Sequence, residues 1–305
     1  MNEYIVGAWQ PEDNAEILKI WKQTQVPLCW DPLDESDLTA KITGSESFEP
    51  EGAIAARVDG RTIGFSLAVA TSSPVGHLCT LMVDPAFRGR GIGASLLKRA
   101  EDFLATRHTE QVRVASEESP VWFSFGVNVT MPAYYFLLNR SYRSTSSLDI
   151  VLDIKLADFE LGLQITDFVA TNSRDDIAFG LCGDDHTEKL CEFVDHDPLV
   201  VSAVSGRPPH PVVIAYQGDR VVGFSGPISV GSGGCGGFMG VVTDPEFRRR
   251  KIGTILFQFM CDEMKKRGAT HTNLYTGLQQ GAQEIYLAAG CSPQYVTDHS
   301  LSKRL

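Results

Sequence analysis

The chain has 305 residues, 43 % of them apolar, which suits two globular domains that each bury a core. Its net charge of −11 argues against a nucleic-acid partner, whose phosphates it would repel, and no apolar run is long enough to span a bilayer. The seven cysteines are odd in number, scattered and without a Cys-x-x-Cys pair, which predicts reduced thiols rather than a disulfide framework or a zinc site.

Residues 4–9 read as a first strand and 12–23 as a helix with Ile17, Leu18 and Trp21 on its inner stripe. Pro27 breaks that helix, and 34–42 can form a second. Asp59-Gly60 is a hairpin signal between strands 52–58 and 62–71. Residues 78–83 form an apolar strand that Asp84-Pro85 stops, because proline cannot donate to the ladder. Arg88-Gly89-Arg90-Gly91-Ile92-Gly93 follows as a basic, glycine-rich loop. Ile92, Leu96, Leu97, Ala100, Phe103 and Leu104 then recur at helical spacing. Residues 112–115 make a fifth strand, 116–131 an aromatic-rich connection, 132–139 a short helix and 147–156 a last strand.

The order then restarts near Phe159. Residues 163–170 are a candidate strand, 187–194 a helix, and 212–216 with 221–230 a hairpin. A glycine-rich turn at 231–237 leads through 238–242 into a second basic loop and a helix from Ile252 to Met264. A strand at 271–275, a helix at 282–289 and a closing strand at 295–302 complete the copy. Asp244, Pro245, Phe247, Arg248, Arg250, Ile252 and Gly253 repeat the order and spacing of Asp84, Pro85, Phe87, Arg88, Arg90, Ile92 and Gly93. Upstream, Gly64-Phe65-Ser66 is echoed by Gly223-Phe224-Ser225. A repeat this long implies two copies of one domain, 1–157 and 160–305, divided between Leu156 and Gly162.

Glycines let backbone N–H groups approach a phosphate, and a helix N-terminus adds partial positive charge to that of Arg88 and Arg90. The bland alternative is an ordinary turn before a surface helix. Gly89-x-Gly91-x-x-Ala94 also satisfies a dinucleotide fingerprint, but the preceding strand follows a hairpin, and the repeat keeps the arginines while losing the Gly-x-Gly. A Walker loop is excluded because Gly-Lys-Ser/Thr is missing.

Arg-x-x-Gly-x-Gly between a strand and a helix resembles the acetyl-CoA loop of the GNAT superfamily of N-acetyltransferases. Arg88, Gly91 and Gly93 fit it fully; Arg248 and Gly253 fit, with Lys251 in place of the first glycine. The resemblance covers nearly the whole chain. It implies an α/β protein of two tandem GNAT-like domains, each a mixed, mostly antiparallel sheet flanked by helices. It further implies acetyl-CoA as co-substrate, no metal, a small-molecule amine acceptor, and a monomer or homodimer. Cofactor contacts then fall on Arg88, Gly89, Arg90, Gly91, Ile92, Gly93 and Ala94, and on Arg248, Arg249, Arg250, Lys251, Gly253 and Thr254. Strand backbone at Met82 and Val83, and at Val242 and Thr243, would pair with the pantetheine arm.

The family's usual general acid is a tyrosine in a pattern like Ala-x-x-x-Tyr-x-x-x-Gly. Ala282, Tyr286 and Gly290 match it, and Gln279 lies where the family often has an asparagine near the pantetheine. In the first copy Leu137 occupies the tyrosine position, with Tyr134 and Tyr135 up to one turn earlier. The copy with the better loop therefore lacks the acid, and the copy with the acid has the weaker loop. Non-catalytic acyl-CoA binding by one or both copies is the alternative. Glu117 and Glu118 could take a proton from an amine, although such a pair is more often a solvated loop. Cys182, His186, Cys191 and His196 match no zinc spacing, and His77 and Cys79 read as strand packing. The opening residues lack a basic stretch followed by an apolar one, so a cytoplasmic protein is expected.

Overall fold

The computed structural model describes residues 3–24, 28, 31, 32, 34–146, 148–162, 177–206, 210–231, 233–278 and 281–305. Contacts divide the chain into two units, Met1–Ile150 with Tyr295–Leu305, and Val151–Gln294. The candidate strand at 163–170, the break at Pro27 and the position of Gln279 lie outside the described residues.

The first unit opens with β1 (Ile5–Ala8), α1 (Asn14–Thr24) and α2 (Glu35–Thr43). Asp34 starts α2 by accepting from the amides of Ser36 and Asp37. Asp59 and Gly60, both left-handed at φ 47° and 79°, turn β2 (Ala53–Val58) into β3 (Arg61–Val69). Next come β4 (Val75–Val83), α3 (Ile92–Ala105), β5 (Gln111–Val114), β6 (Val127–Asn128) and α4 (Pro132–Leu138). The sheet runs β1-β2-β3-β4-β5, antiparallel except between β4 and β5.

Helices cover both faces of this sheet. Ile17, Leu18 and Trp21 of α1, with Leu38 and Ile42 of α2, pack against Phe65, Leu67 and Met82. On the other face the α3 stripe, including Leu97, Ala100 and Leu104, meets Leu78, Val112 and Val114. Each such side chain contributes about 1.5–3 kcal/mol on burial. Asp13, 5 % exposed, ties α1 to the sheet by accepting from Arg57, Thr62 and the Gln10 amide. Burial alone would raise its pKa, but those hydrogen bonds outweigh it and hold the carboxyl below its usual value.

β7 (Asp149–Lys155) carries the chain into the second unit. There follow β8 (Ile177–Leu181), α5 (Asp184–Phe193), α6 (Pro198–Ser205), β9 (Val213–Gln217), β10 (Arg220–Gly226), β11 (Ser229–Val230), β12 (Cys235–Gly237) and β13 (Gly240–Thr243). Then come α7 (Ile252–Lys266), β14 (His271–Gly277), α8 (Gln283–Ala288), β15 (Ser292–Asp298) and β16 (Ser302–Arg304). β13-β10-β9-β8 is antiparallel, whereas β12 runs parallel to β14.

The repeated Gly-Phe-Ser has a packing cause. A Cβ at Gly64 would stand 3.0 Å from Leu96 and 3.1 Å from the Met82 carbonyl. At Gly223 it would stand 2.8 Å from the Val242 carbonyl and 3.0 Å from Leu256. In each unit the helix after the basic loop sits so close to the sheet that only glycine fits beneath it.

Two expectations need correction. The strand predicted at 295–302 is two strands, β15 and β16, and the chain from Tyr295 groups with the first unit. There β16 pairs antiparallel with β5 (Ser302↔Arg113), the end of β15 pairs with β6 (Thr297↔Asn128), and Leu301 is fully buried. Cys79, Cys182, Cys191, Cys261 and Cys291 are free thiols, but Cys235 is disulfide-bonded, so reduced thiols throughout does not hold.

Candidate active site

β4 and β5 pair only as far as Leu78↔Val114, while β4 continues to Val83. Leu67 pairs with Thr80 and Ala68 with Leu78, so Cys79 is an extra residue on β4. A bulge of this kind bends its strand and ends local pairing, which opens a wedge between the two strands. The wedge is a cleft of about 240 Å³, lined by Thr80–Val83, Val114, Asn128 and the Phe136–Leu137 face of α4, among others. A second cavity of about 290 Å³ continues it, sharing Val83, Arg88, Gly93 and Phe136.

That second cavity is the basic loop. Gly89 (φ 75°) and Gly91 (φ 83°) are left-handed, and Gly91 is the N-cap of α3. The first intrahelical bond runs from Ser95 N–H to the Gly91 carbonyl at 3.0 Å, so the amides of Ile92, Gly93 and Ala94 precede it. Arg88 donates through Nε to the Val83 carbonyl at 3.2 Å, holding its guanidinium where strand and loop meet. Arg140, at the end of α4, lies over the Phe136 ring (3.7 Å) and joins the same wall. Donors, a helix N-terminus and two guanidinium groups at the end of an apolar slot suit a phosphate joined to an extended chain.

The second unit repeats the design with altered parts. Its wedge is complete: β12 stays with β14 (Cys235↔His271), while β13 follows β10, and Phe238 and Met239 lie in the break. Met239, Val242 and Leu287 are exposed apolar side chains near 51, 42 and 42 %. Asp84 and Asp244 start their turns alike, each accepting from the amide two residues on and pairing with Arg61 or Arg220 at 2.7 Å. Arg249 (φ 68°) and Lys251 (φ 62°) keep the left-handed loop shape without glycine.

A family model described as Acetyltransferase (GNAT) family matches residues 15–119 and 181–290. The chain belongs to the GNAT family of acetyltransferases. A mycothiol acetyltransferase from Mycolicibacterium gilvum is 32 % identical over 110 residues, which span 34 % of this chain and 35 % of that relative. Among solved structures, a glucosamine N-acetyltransferase region of a fungal multi-domain β-N-acetylglucosaminidase matches 99 % of this chain and 38 % of its own (TM-score 0.70, 19 % identity). A tandem GNAT protein from the clavulanic acid biosynthesis pathway matches 99 % of this chain and 98 % of its own (TM-score 0.64, 14 % identity). The fold is that of two GNAT domains in tandem, as the repeat implied.

In this GNAT chain Met82, Val83, Arg88, Gly89, Gly91, Ile92, Gly93 and Ala94 all line one or both first-unit cavities. Arg90 does not. It folds back over the Phe87 ring at 5.0 Å and lines a separate depression with Tyr4 and Asp59. Arg250 lies over Phe247 in the same way, at 5.1 Å. Arg248 donates to the Thr243 carbonyl at 3.4 Å, as Arg88 does to Val83. Gly253 lies under Ile285, and Thr254 follows it in the first turn of α7. Glu118 pairs with Arg113 and is largely exposed, the solvated-loop outcome. Among the described residues no group of three or more His, Cys, Asp or Glu could hold a metal, and no helix is long and apolar enough to cross a membrane.

Tyr286 lies on α8, 8 % exposed, with its ring edge-on to Phe257 at 4.9 Å. Burial, with a smaller push from Cys291, moves its hydroxyl up to about 12. Leu137, its counterpart, is 3 % exposed and lines the first cleft. Tyr134 cannot substitute for it, because its hydroxyl donates to Asp298 at 3.2 Å, and Tyr135 is 58 % exposed. Sequence reasoning missed Arg140 and Tyr295, which also lines the first cleft. Neither belongs to a motif, and the only available signal was an arginine at a helix end.

Lys251 also bears on stability. A left-handed residue with a Cβ costs roughly 1–2 kcal/mol that glycine does not incur. Lys251→Gly should therefore raise the melting temperature by about 2–8 °C. A lower melting temperature would show that the lysine makes a stabilising contact.

Proposed function

We propose that this chain is an acyl-CoA-dependent N-acetyltransferase that moves the acetyl group of acetyl-CoA to the amine of a small molecule. The observation that carries the reading is the first-unit wedge, an apolar slot that ends on the left-handed glycine loop and the N-terminus of α3. Pyrophosphate would sit on the amides of residues 92–94 beside Arg88, and pantetheine along the free edge of β4 at Met82 and Val83. Holding a thioester and an amine in register replaces a bimolecular encounter by a positioned one, which can remove roughly 7–11 kcal/mol of the barrier. The relative named mycothiol acetyltransferase supports a small-molecule acceptor.

Proton donation is assigned to Tyr286 of the second unit. Its phenol is protonated at neutral pH, as an ordinary tyrosine is, and burial raises it further; the same apolar surroundings raise the basicity of a departing thiolate. Arg248, Arg249, Arg250 and Lys251 would hold pyrophosphate there, with strand backbone at Val242 and Thr243 meeting the arm. Isothermal titration of acetyl-CoA into the intact chain tests the reading. Saturable binding is expected, and its absence would remove the assignment.

A further inference from the structure

We infer that Tyr295 is the proton donor of a second acetyl-transfer site, in the first-unit cleft where Leu137 occupies the usual tyrosine position. The inference rests on the reading that acetyl-CoA occupies that cleft. Among the described residues that line it, Tyr295 alone carries a phenol. Other hydroxyls on the wall are engaged: Thr24 donates to the Ile20 carbonyl at 2.7 Å, and Ser124 to the Gly126 carbonyl at 3.3 Å. The Cys79 thiol is pushed up to about 12 by burial and meets Ser119 at 3.3 Å. An aliphatic hydroxyl such as that of Thr80 is a poorer proton donor than a phenol.

Backbone pairing fixes where Tyr295 stands. β15 runs antiparallel to β6, with Thr297 opposite Asn128 and the Val129 amide bonded to the Val296 carbonyl at 3.0 Å. Val127, Asn128 and Met131 of that same stretch line the cleft. Tyr295 and Thr297 share a face of β15, and Thr297 is fully buried with its hydroxyl on the Phe125 carbonyl. Tyr295 therefore faces inward beside the wedge. Its hydroxyl bonds to no described residue, so its proton is free to be given, and burial, reinforced by the Asp31 carboxylate, raises the phenol above its usual value. The C-terminal segment thus delivers to the first cleft a phenol that its own α4 lacks.

The step balances without a further reactant. The amine nitrogen attacks the thioester carbonyl carbon, forming C–N. The C–S bond then breaks, and the Tyr295 O–H gives its proton to sulfur, leaving CoA as the thiol. The nitrogen loses its proton to water, and water reprotonates the phenolate.

Thiol release from acetyl-CoA by the intact chain, with a panel of primary amines (glycinamide, glucosamine, spermidine), tests this. Tyr286→Phe should leave a residual turnover, and adding Tyr295→Phe should lower that residue roughly 10²-fold. Acetyl-CoA affinity and melting temperature should stay as in the single variant. Residual turnover within about twofold of Tyr286→Phe alone would overturn the inference. So would complete loss in Tyr286→Phe alone, which leaves the proposed function standing. A double variant that melts lower, or loses acetyl-CoA affinity as much as turnover, would show a structural hydroxyl and overturn it too. A wild-type chain releasing no thiol with any amine would sink the proposed activity and this inference together.

Discussion

Tyr286→Phe should lower turnover by roughly 10²–10⁴-fold, the usual contribution of a positioned acid, down to whatever the first unit supplies. Phenylalanine keeps the ring, its edge-on contact with Phe257 and its burial, so only the hydroxyl is lost. That hydroxyl bonds to no described residue, so the fold has nothing to lose with it. Melting temperature and acetyl-CoA affinity should therefore stay near wild type while turnover falls. Thiol release under saturating acetyl-CoA measures the effect. Turnover within about twofold of wild type would instead place the chemistry in the first unit.

Gly91→Glu should weaken acetyl-CoA binding at the first-unit site by at least about a hundredfold. Gly91 holds φ 83°, which costs a residue with a Cβ roughly 1–2 kcal/mol. The larger effect is charge. A carboxylate about 4 Å from a phosphate repels it by about 4 kcal/mol at an effective dielectric of 20. The fold should survive, because a Cβ at Gly91 meets only the Tyr4 hydroxyl, at 3.6 Å. In a titration of the intact chain one class of sites should disappear while the melting temperature drops only modestly. Unchanged affinity would contradict the placement of pyrophosphate on this loop.

Much of this site was legible because its signals are local. Proline after a strand, left-handed glycines and a helical stripe act over a few residues, and Asp84 through Leu104 carry all three. Lys251, which the repeat aligns with Gly91, keeps that glycine's left-handed backbone at φ 62°. Other features are set by pairing between distant segments. β12 is Cys-Gly-Gly, a sequence with little strand preference, and is held by its partners β11 and β14. β8 is a five-residue apolar run, too short for its period to speak. α6, Pro-Leu-Val-Val-Ser-Ala-Val-Ser, is rich in β-branched residues that favour strands; its signal was the Asp197-Pro198 start, where Asp197 caps the Leu199 and Val200 amides. The return of 295–305 to the first unit left no local mark, and the tyrosine it brings to the cleft was hidden for the same reason.

The function proposed for this chain is acetyl transfer to an amine, as against binding of acyl-CoA alone. Its most direct measurement follows CoA thiol release and N-acetylated product together, with the intact chain, acetyl-CoA and the amine panel. With at least one amine the two should accumulate in equal amounts, saturably in acetyl-CoA. Saturable acetyl-CoA binding with no thiol released by any amine would contradict it and leave a binding protein.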